Sequence, residues 1–335
     1  MKYIGLDVHK INTAACVVNA GGKEVKSFSV RTLGGLQEII EHMGEEEYMV
    51  LMESSSYSIP VYRFFQDRGV PVHAAHARYL KMITQSDKKT DKYDASALAR
   101  YLRFWHRDEM PLSMSYIPSR EEMALKDLCR LREELSDSIG DEVRRIRAHM
   151  ARNEQDMPHT FHDIKTRKSR AHISERFGDD QVLMRRIAKL SELLGHTKEL
   201  DRELDALARG NEDVELLISI PGVGARSAVQ IMSMIIDIDR FPDTEKLCSY
   251  FGLVPRVRST GGKEIHGRLT KAGDPMMRRI LDRVTYVHIM HCDSSLTAFY
   301  ERKAGESKKK ALTSASRKML CLMHAVLKRR TPFTA

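Results

Sequence analysis

The sequence of 335 residues predicts an α/β domain followed by a mostly helical remainder, an α/β plus α chain. Two observations carry that prediction. In the first third, short apolar, β-branched runs alternate with segments of helical spacing. Past a Pro- and Ser-bearing linker, "PLSMSYIPS", leucines and isoleucines recur at steps of three and four between dense charges. The expected division is 1–112, 113–206 and 207–335.

The first domain reads element by element. "KYIGLDVH", "TAACVVNA" closed by Gly21-Gly22, and "KEVKSFSV" form a meander of short-linked strands. "LGGLQEIIEHM" is a helix, "YMVLMES" a buried strand, "IPVYRFFQDRG" a helix ending at Gly69, and "VPVHAAH" another strand. Three antiparallel strands followed by β-α-β crossovers is the order of a ribonuclease-H-like mixed sheet. One lobe of an actin-like or sugar-kinase fold has the same order.

In the second segment Leu128, Leu131, Leu135, Ile139, Val143 and Ile146 keep helical spacing, as do Ile187, Leu190 and Leu194 and then Leu200, Leu204 and Leu207. This predicts two long antiparallel helices over 119–205, a coiled-coil arm with a polar tip near Pro158, suited to spacing or to dimerisation. The third segment opens with "LLISIPGVGARSAVQIM", the composition of a helix-hairpin-helix-like turn. Backbone amides near Gly222 and Gly224 could there take a DNA phosphate, or the turn could simply be tight. It continues into "LVPRVRSTGGKEIHGRLTKAGD", read as a basic loop. Arg256, Arg258, Lys263, Arg268 and Lys271 fence Ser259, Thr260 and two glycines, and Arg278 follows in "MRRIL".

Apolar residues make up 42% and charged residues 30%, the balance of a soluble globular protein. No apolar run approaches the roughly 20 residues that span a bilayer, and the N-terminus has no signal-peptide pattern, so the expectation is a cytoplasmic protein that does not engage membrane. Five scattered cysteines without a C-x-x-C pair read as reduced thiols. A net charge of +9 favours an anionic partner, nucleic acid first. His288, His291 and Cys292 have short spacing but no matching second half for a zinc site, and read as packing or surface residues.

Carboxylates that end apolar elements are the candidates for chemistry. Asp7 closes "YIGLD" and Glu53 closes "YMVLME", on strands that a ribonuclease-H-like sheet makes neighbours. Thr90 is a good N-cap, which puts Asp91 and Asp94 in one helical first turn. That pair alone could be mere capping. Together with two strand-end acids it can gather four carboxylates, whose mutual repulsion a divalent cation would relieve. Hard oxygen ligands select Mg²⁺, with Mn²⁺ as the alternative. Lys10, just past Asp7, could hold a phosphate at the rim or be an ordinary exposed strand-end lysine. None of the Gly-rich stretches fits G-x-x-x-x-G-K-[ST], so no nucleotide cofactor is expected.

Seven blocks, "IGLDVHK", "MESSSY", "TDKYDASALARYL", "ISIPGVGARSA", "IDRFPDTEKLCSYFGLVPR", "STGGKEIHGRLTKAGD" and "MRRIL", stand in an order that resembles the DEDD transposases of the bacterial insertion-sequence family called IS one-ten. The resemblance covers nearly the whole chain. It implies a RuvC-like N-terminal domain, a helical arm and a C-terminal transposase domain with a catalytic serine. It implies a recombinase guided by a bridge RNA that pairs with target and donor double-stranded DNA, acting as dimers that pair into a tetramer at the bacterial nucleoid. Carried over by position, Asp7, Glu53, Asp91 and Asp94 are the catalytic metal ligands and Ser259 is the nucleophile. Ser54-Ser55-Ser56 replace a frequent family glycine, and Thr260 beside Ser259 is the neighbouring hydroxyl. A primary hydroxyl is the less hindered nucleophile, which favours Ser259. The rival readings are a metal-dependent Holliday-junction resolvase that uses water, and an actin-like ATPase or sugar kinase.

Overall fold

A computed structural model describes residues 1–76, 90–107, 109–110, 113–157, 163–260, 263–305 and 307–334, with side chains omitted at 257–260 and 263–266. The chain divides into two compact units, Met1–Pro118 and Ser119–Ala335.

The first unit is built on a five-stranded sheet of order β3-β2-β1-β4-β5. Its strands are β1 (Lys2–Val8), β2 (Asn12–Asn19), β3 (Glu24–Arg31), β4 (Tyr48–Glu53) and β5 (Val72–Ala75). β1 pairs antiparallel with β2 and parallel with β4, so it is central and buried on both faces. Its run is therefore apolar almost throughout instead of alternating. Ile4, Leu6, Val17, Val50 and Met52 pack against Leu36 and Ile39 of α1 (Leu36–Met43) and Val61 and Phe65 of α2 (Ser58–Gln66). On the other face Tyr3, Met49 and Leu51 meet Leu98 and Leu102 of α3 (Asp91–His106), while Cys16 and Val18 meet Ala95 and Ala99. The three layers follow from the strand period of two set against helical spacing on either side.

The second unit begins with α4 (Arg120–Arg152), entered through a capping box in which Ser119 and Glu122 satisfy each other's backbone amides. It packs on α6 (Gln181–Leu207) through Ile139, Ile146, Leu183, Ile187 and Leu190. The ion pairs Arg132–Asp201, Arg186–Glu142 and His149–Asp180 fix an antiparallel sense, since numbers fall on one helix as they rise on the other. Between the two stands α5 (Arg167–Arg176), which the spacing of apolar residues did not predict. Its own sequence is almost wholly polar and buries Ser169 and one apolar residue, Ile173. The expected tip near Pro158 lies outside the described residues. At the other end Cys129 and Leu204 join one core with Leu217, Ile231, Met277 and Met319, so the helical pair is rooted in the C-terminal core without an intervening linker.

That core is made by α7 (Glu212–Ile218), α8 (Ala225–Ile235), α9 (Thr244–Tyr250), α10 (Pro275–His291), α11 (Ser295–Ala304) and α12 (Lys308–Arg329). The segment read as a basic loop is instead a β-hairpin, β6 (Pro255–Thr260) and β7 (Lys263–Leu269). The strands pair antiparallel with Thr260 opposite Lys263, and Gly261 and Gly262 lie outside the described residues. The physical reason was in the sequence: Gly-Gly between runs holding Val257 and Ile265 is a two-residue hairpin signal. Among the described residues no helix is long and apolar enough to cross a membrane.

Candidate functional site

The carboxylate site follows from strand register and one close approach. Alternation sends Ile4 and Leu6 to the α1/α2 layer and Tyr3, Gly5 and Asp7 to the α3 layer. Leu6 pairs with Met52, so the next residues, Asp7 and Glu53, end neighbouring strands at one level and on one face. Asp7 is half-buried and Glu53 exposed.

The third element is α3. The Thr90 hydroxyl accepts a hydrogen bond from the Tyr93 amide at 3.2 Å, which places Asp91 and Asp94 in the first turn as predicted. Gly5 sets where that turn lies. A Cβ at Gly5 would sit 2.0 Å from the Ala95 carbonyl oxygen and 2.4 Å from the Ala99 amide nitrogen. Only glycine lets α3 rest directly on the backbone of β1. Because Asp91 and Asp94 are the turn preceding Ala95, the same contact carries them to Asp7, two residues beyond Gly5.

Electrostatics report the crowding. Burial raises the Asp7 carboxyl above its ordinary range; His9 opposes this through its charge and hydrogen bond, and the charges of Asp94 and Asp91 reinforce it. Asp7, His9 and Asp91 each present a ligating atom, all within 4.8 Å of one another. His9 Nε2 stands 3.1 Å from Asp7 Oδ2 and 3.6 Å from Asp91 Oδ1. Oxygen donors in mutual repulsion fit a divalent cation, whose charge would remove the cost of keeping all of them ionised. Glu53 is outside this tight group of three, at the adjacent strand end. Lys10, next along the chain after His9, is exposed. Sequence reasoning missed His9, although Asp7-x-His9 at a strand end was the available signal.

In the second unit Ser259 lies on β6, paired with Glu264, and its side chain lies outside the described residues, as do those of Arg258, Thr260 and Lys263. Arg256, Arg268 and Lys271 are exposed around the hairpin. Two of the expected phosphate contacts have structural duties. Arg278 donates through Nη1 to the carbonyls of Phe251, Ala272, Gly273 and Asp274, at 3.1, 3.3, 3.2 and 3.4 Å, tying together the two ends of the hairpin. Gly222, at φ +92°, lies where a Cβ would come 2.7 Å from the His288 amide nitrogen and 2.8 Å from the Val284 carbonyl oxygen. Its missing side chain makes room for α10. His288 is buried, donating from Nδ1 to the Pro221 carbonyl at 2.7 Å, with Nε2 2.8 Å from the Ser294 hydroxyl; it is a packing residue, as its spacing implied. Gly224 is exposed as the N-cap of α8, with open space around it.

Two family models match the chain, in order. One, described as a transposase and of the DEDD type of IS110, covers residues 4–153; the other, described as the transposase IS116/IS110/IS902 family, covers residues 214–301. The first stretch holds all four candidate carboxylates, and the second holds the helical turn and Ser259. The chain belongs to the IS110 family of transposases.

Its relatives agree. The transposase for insertion sequence element IS1111A of Coxiella burnetii is 26% identical over 287 residues, 84% of this chain and 76% of the relative. The transposase for insertion sequence element IS1328 of Yersinia enterocolitica is 25% identical over 251 residues, 73% and 72% of the two chains. A pilin gene-inverting protein of Moraxella lacunata is 23% identical over 345 residues, 99% of this chain and 97% of that one. This IS110-family transposase is thus an enzyme that recombines DNA, with DNA as substrate and a divalent metal as the family's typical requirement.

Proposed function

We propose that this transposase is a bridge-RNA-guided recombinase of an insertion sequence, which cuts and rejoins DNA through a phosphoserine intermediate. The observation that carries the reading is the seating of α3 on Gly5, which gathers Asp7, Asp91 and Asp94 in a region matched by the DEDD family model. In this reading the first unit is RuvC-like, its sheet order being the ribonuclease-H-like one, and the α4/α6 pair is a coiled-coil arm that joins protomers.

Asp7, Glu53, Asp91 and Asp94 hold Mg²⁺. When bound, the metal lowers the barrier to ionising the attacking hydroxyl and neutralises charge that develops on phosphate. The Ser259 oxygen attacks phosphorus and displaces the 3′-oxygen, so the 5′ end becomes serine-linked and a 3′-hydroxyl is freed. Rejoining reverses the step: a 3′-hydroxyl attacks the phosphoserine and returns the serine proton. The phosphodiester is conserved, so no nucleotide is consumed. Arg256, Arg258, Lys263, Arg268 and Lys271 hold flanking phosphates, Lys10 does so at the carboxylate rim, and the exposed Gly224 amide end of α8 is a further contact. Base pairing by the RNA, not the protein, selects target and donor.

Ser259 and the carboxylates belong to different units of the chain. We read the site as shared between protomers, with dimers pairing into a tetramer. Mixing Ser259→Ala and Asp7→Ala subunits in the presence of the element's RNA then restores part of the strand exchange that each variant lacks alone. Absence of recovery at every ratio refutes sharing.

A further inference from the structure

We propose that His9 is a further direct ligand of the divalent metal, joining the carboxylates beside Asp7 and Asp91, so that the centre is a mixed nitrogen and oxygen site. This rests on the reading of the carboxylates as a metal centre.

The first support is geometric. An octahedral ion with bonds of roughly 2.1 Å keeps neighbouring ligand atoms about 3 Å apart, the bond length multiplied by the square root of two. His9 Nε2 lies 3.1 Å from Asp7 Oδ2 and 3.6 Å from Asp91 Oδ1, and the Asp7 and Asp91 oxygens lie within 4.8 Å of each other, so contraction of a few tenths of an ångström to about an ångström and a half would bring the three onto one octahedral face.

The second support is how the imidazole is held. The His9 amide donates to the Asn12 carbonyl at 3.1 Å, and the Thr32 hydroxyl donates to the His9 carbonyl at 2.7 Å. The backbone is thus fixed on both sides just after β1 ends, while the side chain, 55% exposed, reaches back over the strand end to the carboxylates. The ring already meets two acids on different elements, by a hydrogen bond to Asp7 and an ion pair with Asp91, and a divalent ion would take the place of the proton between them.

The third support is the division of labour among the acids. Glu53 is exposed and outside the group of three, which leaves it free to meet a second ion or the substrate side of the first. Imidazole suits transition metals better than it suits Mg²⁺, so His9 tilts the centre toward Mn²⁺.

The test uses the full-length protein with one equivalent of Mn²⁺. Electron spin-echo envelope modulation of the bound ion reads directly coordinated nitrogen, and titration of the free Mn²⁺ signal reads affinity. The expected result is a histidine ¹⁴N modulation that vanishes in His9→Ala and in His9→Gln. The Mn²⁺ Kd should rise about tenfold or more in those variants and the Mg²⁺ Kd much less, by analogy with ligand-shell losses of that order. If Mn²⁺ binds with an affinity that Asp7→Ala weakens, yet shows no ¹⁴N modulation, His9 is not a ligand and the carboxylate centre stands. If Asp7→Ala leaves Mn²⁺ affinity unchanged, the carboxylate centre itself is wrong.

Discussion

At Gly5 one hydrogen atom decides whether the acidic residues meet. Any side chain there would overlap the Ala95 carbonyl and the Ala99 amide, both of them helix backbone that cannot rotate aside. Gly5→Ala is therefore expected to push α3 off the sheet, costing about 3 kcal/mol of stability in the first unit. It should also weaken Mn²⁺ binding, because Asp91 and Asp94 move with α3. Denaturant melts and metal titration check both, and a fully stable Gly5→Ala protein with unchanged affinity would refute this account of how the site is positioned. None of this was legible locally. Asp7, Glu53, Asp91 and Asp94 could be picked out as acids at element ends, but the reason for Gly5 lies ninety residues away along the chain. In sequence, the basic Lys10 suggests phosphate more readily than the His9 imidazole at a strand end suggests metal.

At the scale of elements, long periodic signals were readable and short contextual ones were not. The strand runs of the first unit and the two long helices of the second have apolar spacing that survives any tertiary context. The β6–β7 hairpin was read as a loop because its basic residues drew attention from the alternation beneath them. Helix α5 escaped because one buried isoleucine gives no period. The α4/α6 pair carries its own test. Asp180 caps α6 by accepting from the Leu183 amide at 2.9 Å and pairs with His149 at 2.7 Å; the amide bond foremost, then the His149 and Gln155 hydrogen bonds, hold its carboxyl down at about 2. A carboxyl depressed in the folded state stabilises it fully above the ordinary value of 3.8 and loses that contribution as pH falls toward about 2. Asp180→Asn should therefore flatten the acid limb of stability between those values and lower stability at neutral pH, where the carboxylate contributes fully. Urea melts across pH would show it, and an unaltered acid limb would contradict the capping account.

For the molecule as a whole, the net charge of +9 indicated an anionic partner but not which one, and the order of motifs along the chain supplied what charge could not. The two halves of the proposed chemistry lie in different units, carboxylates in Met1–Pro118 and serine in Ser119–Ala335, which is the division that mixing Ser259→Ala and Asp7→Ala subunits probes. A water-using resolvase would need only the first unit's acids, and the basic serine hairpin would then be a DNA grip. The most direct measurement is the fate of the cut strand. Incubated with the proposed bridge RNA, Mg²⁺ and labelled target DNA, the protein is predicted to give a DNA-linked species on denaturing gels, with mass spectrometry placing the phosphate on Ser259 and with Ser259→Ala abolishing the species while Thr260→Ala retains it. Cleavage that leaves no protein on the DNA, or a phosphate mapped to Thr260, would contradict the account.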